Sequence, residues 1–315
     1  MQRRRLGTTG FEVAPLALGG NVFGWTADES TSFRLLDAFV EAGFNLIDTA
    51  DSYSRWMPGH QGGESEAIIG RWIARRGRHD DVVIATKVGS DMGLGRKCLR
   101  RDYIQQAAEQ SLRRLQVEAI DLYQSHWDDE KTPFDETLEA YSRLLAQGKV
   151  RAIGASNLTA ARLAQALDVS ESAGLPRYQT LQPLYNLYDR DTFEGELCDL
   201  CLREDIGVIT YFSLAAGFLT GKYRSERDYA KSARGPGMKK YLNARGHKIL
   251  DALDDVAGRL HATPVRVSLA WLMAQPGVTA AIASATSLAQ LDELLAATRL
   301  SLDELDMRQL DEASR

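Results

Sequence analysis

Four polar side chains stand at or just past the ends of apolar, β-rich runs. Asp48 and Tyr53 lie in FNLIDTADSY (44–53), Lys87 in DVVIATK (81–87) and His126 in AIDLYQSH (119–126). Short apolar stretches bounded by polar residues are what parallel strands buried on both faces look like. An acid, a phenol, an ammonium and an imidazole are therefore expected at one edge of one sheet. Proton donation to a carbonyl oxygen is the chemistry they suit. A tyrosine, with a reference pKa near 10, is a weak acid at neutral pH, and a neighbouring ammonium lowers that value; Lys87 is expected to tune Tyr53 in this way. A lysine in an apolar setting needs an anion, because an unpaired buried charge is costly, and Asp48 is the candidate. His126 would donate a hydrogen bond to the substrate oxygen, where charge develops as the carbonyl is reduced. None of the four supplies a hydride, so a cofactor must.

The elements that would position these groups alternate along the chain. Strands are expected at 15–20, 44–50, 81–87, 120–127, 150–157, 180–186, 207–214 and 278–286. Amphipathic stretches such as STSFRLLDAFVEAG (30–43), DYIQQAAEQSLRRLQ (102–116) and TPFDETLEAYSRLLAQG (132–148) fall between them, the last opening with Thr-Pro and closing with Gly. Eight β units alternating with helices over 315 residues point to an α/β fold, a closed (β/α)8 barrel spanning residues 1–315 as one domain. Two segments fall outside the repeat. RRRLGTTGFEV reads as a hairpin able to plug the N-terminal mouth, and residues 215–245 form a long excursion after the seventh strand, where barrels carry chemistry on their loops.

Composition narrows the function classes. The net charge is −5, and the only basic cluster is Arg3-Arg4-Arg5, which leaves no nucleic-acid footprint. No apolar stretch approaches the roughly 20 residues of a membrane span, and no secretory leader opens the chain, so a cytoplasmic location is expected. Three cysteines do not make a disulfide framework, and Cys198 and Cys201 sit in a helical pattern with no second pair to complete a metal site. No metal ligand set is expected. GGESE (62–66) reads as a helix start with early acids.

The ordered landmarks LGTTGFEVAPLALGG, NLIDTADSY, ATKVG, LYQSH, RAIGASN, LQPLYN, YFSLAAGFLTGKY and TSLAQLDEL resemble those of the aldo-keto reductases, NAD(P)H-dependent enzymes built on a (β/α)8 barrel. The likeness covers essentially the whole chain. It places Asp48, Tyr53, Lys87 and His126 on that family's catalytic tetrad, with Tyr53 as proton donor, and implies reversible reduction of an aldehyde or ketone. It also implies a nucleotide site. Ser156, Asn157 and Gln182 match positions that hold the nicotinamide carboxamide, and Tyr211 matches the aromatic that stacks on the ring, although Asn157 would also serve as a cap for the following helix. Gly20, Asn21, Val22 and Asp48 adjoin this site, as do Phe212, Ser213 and Leu214. In the loop over the pyrophosphate, Gly217 and Gly221 permit close backbone approach and Lys222 offers a cation. That loop is not a Walker motif, and no strand is followed by a dinucleotide glycine fingerprint. At the adenosine end Gln290 and Glu293 follow the family pattern, whereas Ser284 and Leu294 depart from it. Arg234 is the expected clamp for a 2′-phosphate, with Thr286 a neutral neighbour, which favours NADPH over NADH.

Trp25, Trp56, Met57 and Trp127 sit on expected mouth loops and, with Tyr53 and His126, make an apolar pocket with a few polar groups, as small-molecule sites do. A cyclic or aromatic carbonyl compound fits such walls. Two other enzyme classes use similar residues. A Schiff-base aldolase would need only Lys87 and leave the rest idle, and a barrel metallohydrolase would need more converging ligands than His126. A binding subunit that signals cofactor occupancy would share all four residues.

Overall fold

Alternation along each expected strand decides which residues meet inside. The computed structural model, which describes residues 2–315, has a two-stranded antiparallel hairpin, β1 (Arg4–Arg5) and β2 (Glu12–Val13), followed by eight parallel strands. These are β3 (Leu16–Gly19), β4 (Leu46–Asp48), β5 (Val83–Val88), β6 (Ile120–Ser125), β7 (Val150–Ser156), β8 (Thr180–Gln182), β9 (Gly207–Thr210) and β10 (Val278–Ala283). They close in sequence order, with β10 pairing both β9 and β3. Helices α1 (Glu29–Glu41), α2 (Glu64–Arg76), α3 (Arg101–Leu115), α4 (Phe134–Ala146), α5 (Ala160–Ala173) and α6 (Glu196–Arg203) follow successive strands. Two helices, α7 (Ala244–Arg259) and α8 (Pro264–Met273), separate β9 from β10, and α9 (Leu288–Ala297) and α10 (Glu304–Ser314) end the chain. The (β/α)8 barrel expected from the pattern is the observed fold.

Successive side chains on a strand point to opposite faces, and the buried residues sort accordingly. Ala17, Leu46, Val83, Ala85, Leu122, Ala152 and Ile209 fill the barrel interior, while Ile47, Ile84, Tyr123, Ile153 and Leu181 belong to the outer core beneath the helices. Cys201 joins that outer core and Cys198 packs against it, so this pair serves packing. The acids of GGESE open α2, as expected, although Glu66 turns inward to bind Arg114 and Thr86. Among the described residues no helix is long and apolar enough to cross a membrane.

Several ladders end earlier than the apolar runs. The strand ending at Ser156 stops because Asn157 adopts φ 58, and the strand ending at Gln182 stops at Pro183, which has no N–H to donate. Likewise Phe212, at φ 52, lies beyond the end of β9 at Thr210. The polar residues after these points form the mouth instead of extending the sheet.

The hairpin seals the opposite end. Leu6 and Val13 are fully buried in the interior cluster, and the Asn45 side chain ties the hairpin to the start of β4 through the Ala14 N–H (2.9 Å) and the Glu12 carbonyl (2.8 Å). Arg4 donates to the carbonyls of Met273 and Val278, each at 2.9 Å. Gly7 has φ 52, and a Cβ there would lie 2.5 Å from both the Gln179 carbonyl and the Gly207 nitrogen, so the turn can seat only as glycine. Replacing Leu6 with Ala empties part of this floor and is expected to cost about 2–5 kcal/mol. Chemical denaturation of L6A beside the exposed control T8A, expected within about 0.5 kcal/mol of the parent, checks this; equal midpoints for both would show that the hairpin does not support the barrel.

Candidate active site

Strand parity places the polar set. Asp48 lies two residues beyond inward-facing Leu46, Lys87 two beyond Ala85, and Gln182 two beyond Thr180, so each points into the barrel one layer above the apolar filling. Lys87 Nζ lies 2.7 Å from Asp48 Oδ2, 2.7 Å from the Thr49 carbonyl oxygen and 3.1 Å from Tyr53 Oη. Both members of the ion pair are almost completely buried. Gln182 Nε2 donates to Asp48 Oδ1 at 2.8 Å. Asp48 is thus the anion that a buried Lys87 requires. Tyr53 arrives from the loop after β4, which is pinned where Ser54, at φ 70, donates through Oγ to the Phe23 carbonyl at 2.8 Å.

Burial, followed by the charge of Asp48, pushes Tyr53 well above the ordinary tyrosine value, and Arg234 opposes this. Lys87 Nζ, within 3.1 Å of the phenol oxygen, is at the same time held by Asp48 at 2.7 Å. Burial lowers the lysine itself, while Asp48 works against that. Burial also holds His126 well below its usual range, helped by the charges of Lys87 and Lys97. At neutral pH the site therefore presents a protonated phenol and a neutral imidazole.

His126 follows β6 and is held by Ser90, which sequence reasoning did not single out. Ser90 Oγ lies 3.0 Å from His126 Nδ1 and accepts from Ser52 Oγ at 3.3 Å. The Ser90 hydroxyl can donate to Nδ1, an arrangement that would put the imidazole hydrogen on Nε2. The only signal in the sequence is a hydroxyl three residues after the lysine in KVGS, too common a pattern to single out.

On the other side of the mouth, Ser156 Oγ donates to the Gln182 carbonyl at 2.7 Å, and Asn157 Nδ2 donates to the His126 carbonyl at 2.9 Å. Tyr211 Oη donates to Asn157 Oδ1 at 2.7 Å. Asn157 does not cap the next helix; Thr159 does, accepting from the Arg162 N–H. These residues line one continuous cleft of about 760 Å³. Asn21, Val22 and Asp48 line it near the tetrad, and Phe212, Ser213, Leu214, Gly217 and Lys222 line it along the excursion. Ser284 Oγ donates to Asn21 Oδ1 at 2.7 Å, and Thr286, Gln290 and Glu293 form the far end. Trp25, Trp56 and Trp127 form aromatic walls, with Trp127 stacked on His126 at 5.7 Å.

Three residues stand elsewhere than the sequence suggested. Gly20 is not in the lining: it packs behind, where its carbonyl accepts from Ser65 Oγ at 2.8 Å, and Gly19 takes the wall position. Met57 also lies off the cleft. Arg234 is not placed as a clamp at the adenosine end; its guanidinium carbon lies 5.3 Å from the centroid of the Trp25 ring and its charge acts on Tyr53. Loop position, which no local pattern encodes, decides all three.

Comparison with known proteins agrees with this geometry. The family model described as "Aldo/keto reductase family" matches residues 15–315. The "Uncharacterized oxidoreductase YrpG" of Bacillus subtilis is 34% identical, over 99% of this chain and 95% of its own length. "Aldo-keto reductase YhdN" of the same organism is 32% identical, over 99% and 93%. The "Probable voltage-gated potassium channel subunit beta" of Arabidopsis thaliana is 29% identical, over 93% and 90%. With a closed eight-stranded barrel and a match over nearly its full length, this chain belongs to the aldo/keto reductase family of NAD(P)H-dependent oxidoreductases.

Proposed function

We propose that the cleft reduces an aldehyde or ketone reversibly, with Tyr53 giving its proton to the carbonyl oxygen. The observation that carries this is the phenol placed 3.1 Å from a buried ammonium and facing the same cleft as His126. Tyr53 and His126 Nε2 can both donate to one oxygen, and Ser90 and the Asn157 contact to the His126 backbone hold the imidazole in place. Lys87 keeps a positive charge beside the phenolate left after transfer, and Asp48 keeps that lysine charged in a setting where burial disfavours it.

The residues present fit a nicotinamide dinucleotide. Gly217 brings bare backbone to the cleft at φ 104, and Lys222 offers an ammonium on the same lining. Ser156, Asn157, Gln182 and Tyr211 would hold the nicotinamide end, and Lys222 with the 213–217 backbone the pyrophosphate. When bound, the nucleotide supplies the hydride. At the far end Arg266 is engaged by Glu293, and Thr286 Oγ1 donates to Gln290 Oε1 at 3.1 Å. With Arg234 at the Trp25 wall, that end has no unpaired cation for a 2′-phosphate among the described residues, which favours NADH over the NADPH expected from sequence.

Replacement of Tyr53 by Phe is expected to lower turnover by about 10²–10⁴ while nucleotide binding, followed by tryptophan fluorescence with NADH and NADPH in parallel, persists. Near-normal turnover in Y53F would sink the mechanism. Tight nucleotide binding with no turnover on any carbonyl would instead favour a cofactor-sensing subunit. Because Tyr53 is raised and His126 lowered, carbonyl reduction should stay level from pH 6 to about 9, and alcohol oxidation, which needs the phenolate, should climb towards and beyond the ordinary tyrosine value of about 10; a reduction rate falling through neutrality would contradict this. Ser90→Ala removes the partner of Nδ1 and is expected to lower kcat by roughly tenfold, consistent with about 0.5–1.5 kcal/mol for one hydrogen bond, and to alter the acidic limb of the pH–rate profile, whereas an unchanged profile would assign Ser90 to packing.

A further inference from the structure

Arg234 stands out electrostatically. Arg4, Arg76, Arg101, Arg114, Arg162, Arg177, Arg190, Arg224, Arg245 and Arg266 are each half-buried, and each guanidinium makes at least one hydrogen bond. Arg234 is half-buried too, yet among the described residues its guanidinium has no hydrogen-bond or ion-pair partner, only the Trp25 ring. A partly desolvated cation with five unused donors is costly to hold without an anion.

Its surroundings show where that anion would sit. Trp25 meets Trp56 edge-on at 5.5 Å, and Trp56 tilts onto Tyr53 at 6.1 Å. Trp25 and Trp56 sit on the loops after β3 and β4, and in the ring of eight strands those two stand across from β7 and β8, which carry Ser156, Asn157 and Gln182. The excursion after β9 therefore brings Arg234 to the aromatic side of the mouth. Lys97, whose ammonium lies 4.5 Å from the Trp127 centroid and likewise has no ion-pair partner among the described residues, adds a second positive charge at the rim. The carboxylates in the cleft lining are already engaged: Asp48 by Lys87, and Glu293 by Arg266.

We infer that the substrate is an aromatic carbonyl compound bearing an anionic oxygen group, typified by a carboxylate, and that Arg234 binds this group while the carbonyl lies at Tyr53. This rests on the reductase function proposed above. A guanidinium suits a carboxylate because its planar fork matches the two oxygens. The flat walls of Trp25, Trp56 and Trp127 fit the ring between the two ends. Arg234 thereby sets substrate specificity.

The test compares para-formylbenzoate with its methyl ester, on the full chain loaded with whichever nucleotide it binds, by tryptophan quenching and by kcat/KM. The parent should prefer the carboxylate by roughly tenfold or more, as a charge-assisted hydrogen bond implies. Arg234→Gln should erase that ratio through KM, Arg234→Lys should restore part of it, and added salt should weaken it. Retained nucleotide quenching in both variants shows that they are folded. Equal binding of ester and carboxylate by the parent overturns the inference, as does an Arg234→Gln variant that loses nucleotide affinity instead of the carboxylate preference. Carboxylate-selective binding without turnover would uphold Arg234 and reject the reductase function; turnover of both compounds without preference would do the reverse.

Discussion

A lysine ammonium buried inside the mouth of an apolar barrel is the constraint to which the rest of the site answers. Removing a carboxylate and an ammonium from water costs several kcal/mol per ion even after relaxation, and the Lys87–Asp48 contact alone does not fill their hydrogen-bonding capacity. The Thr49 carbonyl, Tyr53 Oη and Gln182 amide complete it. Three strand ends, β4, β5 and β8, are thereby locked in one arrangement. Behind it lies a further buried set: Glu66 held by Arg114 and Thr86, and Asp51 raised by burial and by Glu66. A barrel with an all-apolar upper layer would avoid these costs, so the charges serve the mouth.

The same burial sets the protonation states. A phenol and an imidazole partly withdrawn from water both favour their neutral forms, and in those forms both can donate a hydrogen bond towards the cleft. Donors prepared in this way need little reorganisation when charge develops on a carbonyl oxygen. The ion pair below them supplies a fixed field that also remains in place after a proton has moved. Stabilisation by preorganised groups in a dry site is worth more than the same contacts would be in water.

The loops are shaped for the site at some conformational cost. Ser54, Asn157, Phe212, Ala215 and Ala216 all take left-handed backbone conformations that side chains beyond glycine disfavour, and all lie at the C-terminal mouth. Specific polar ties hold them there, such as Ser54 to Phe23 and Tyr211 to Asn157. In barrels of this kind the strands keep the chemistry constant and the loops choose the substrate. Arg234 and Trp25, contributed by different loops, meet at the aromatic wall on that principle.

Much of this was legible in the order of residues. Apolar runs with polar ends gave eight strands, and parity then directed Asp48, Lys87 and Gln182 inward, because alternation along a strand is local geometry and needs no partner to define it. The polar residues proposed for catalysis and for the nicotinamide end lie on or beside those strands. What the chain order did not reveal depends on distance across the barrel. The elevated Tyr53 pKa follows from burial and from the charge of Asp48, which only the assembled barrel brings beside it, and Ser90 gains meaning only because β5 and β6 pair. Gly20 faces away from the cleft because the turn after β3 sets its direction. Arg234 reaches Trp25 instead of the nucleotide's far end because a long excursion without strand or helix periodicity can be placed only by the packing it makes.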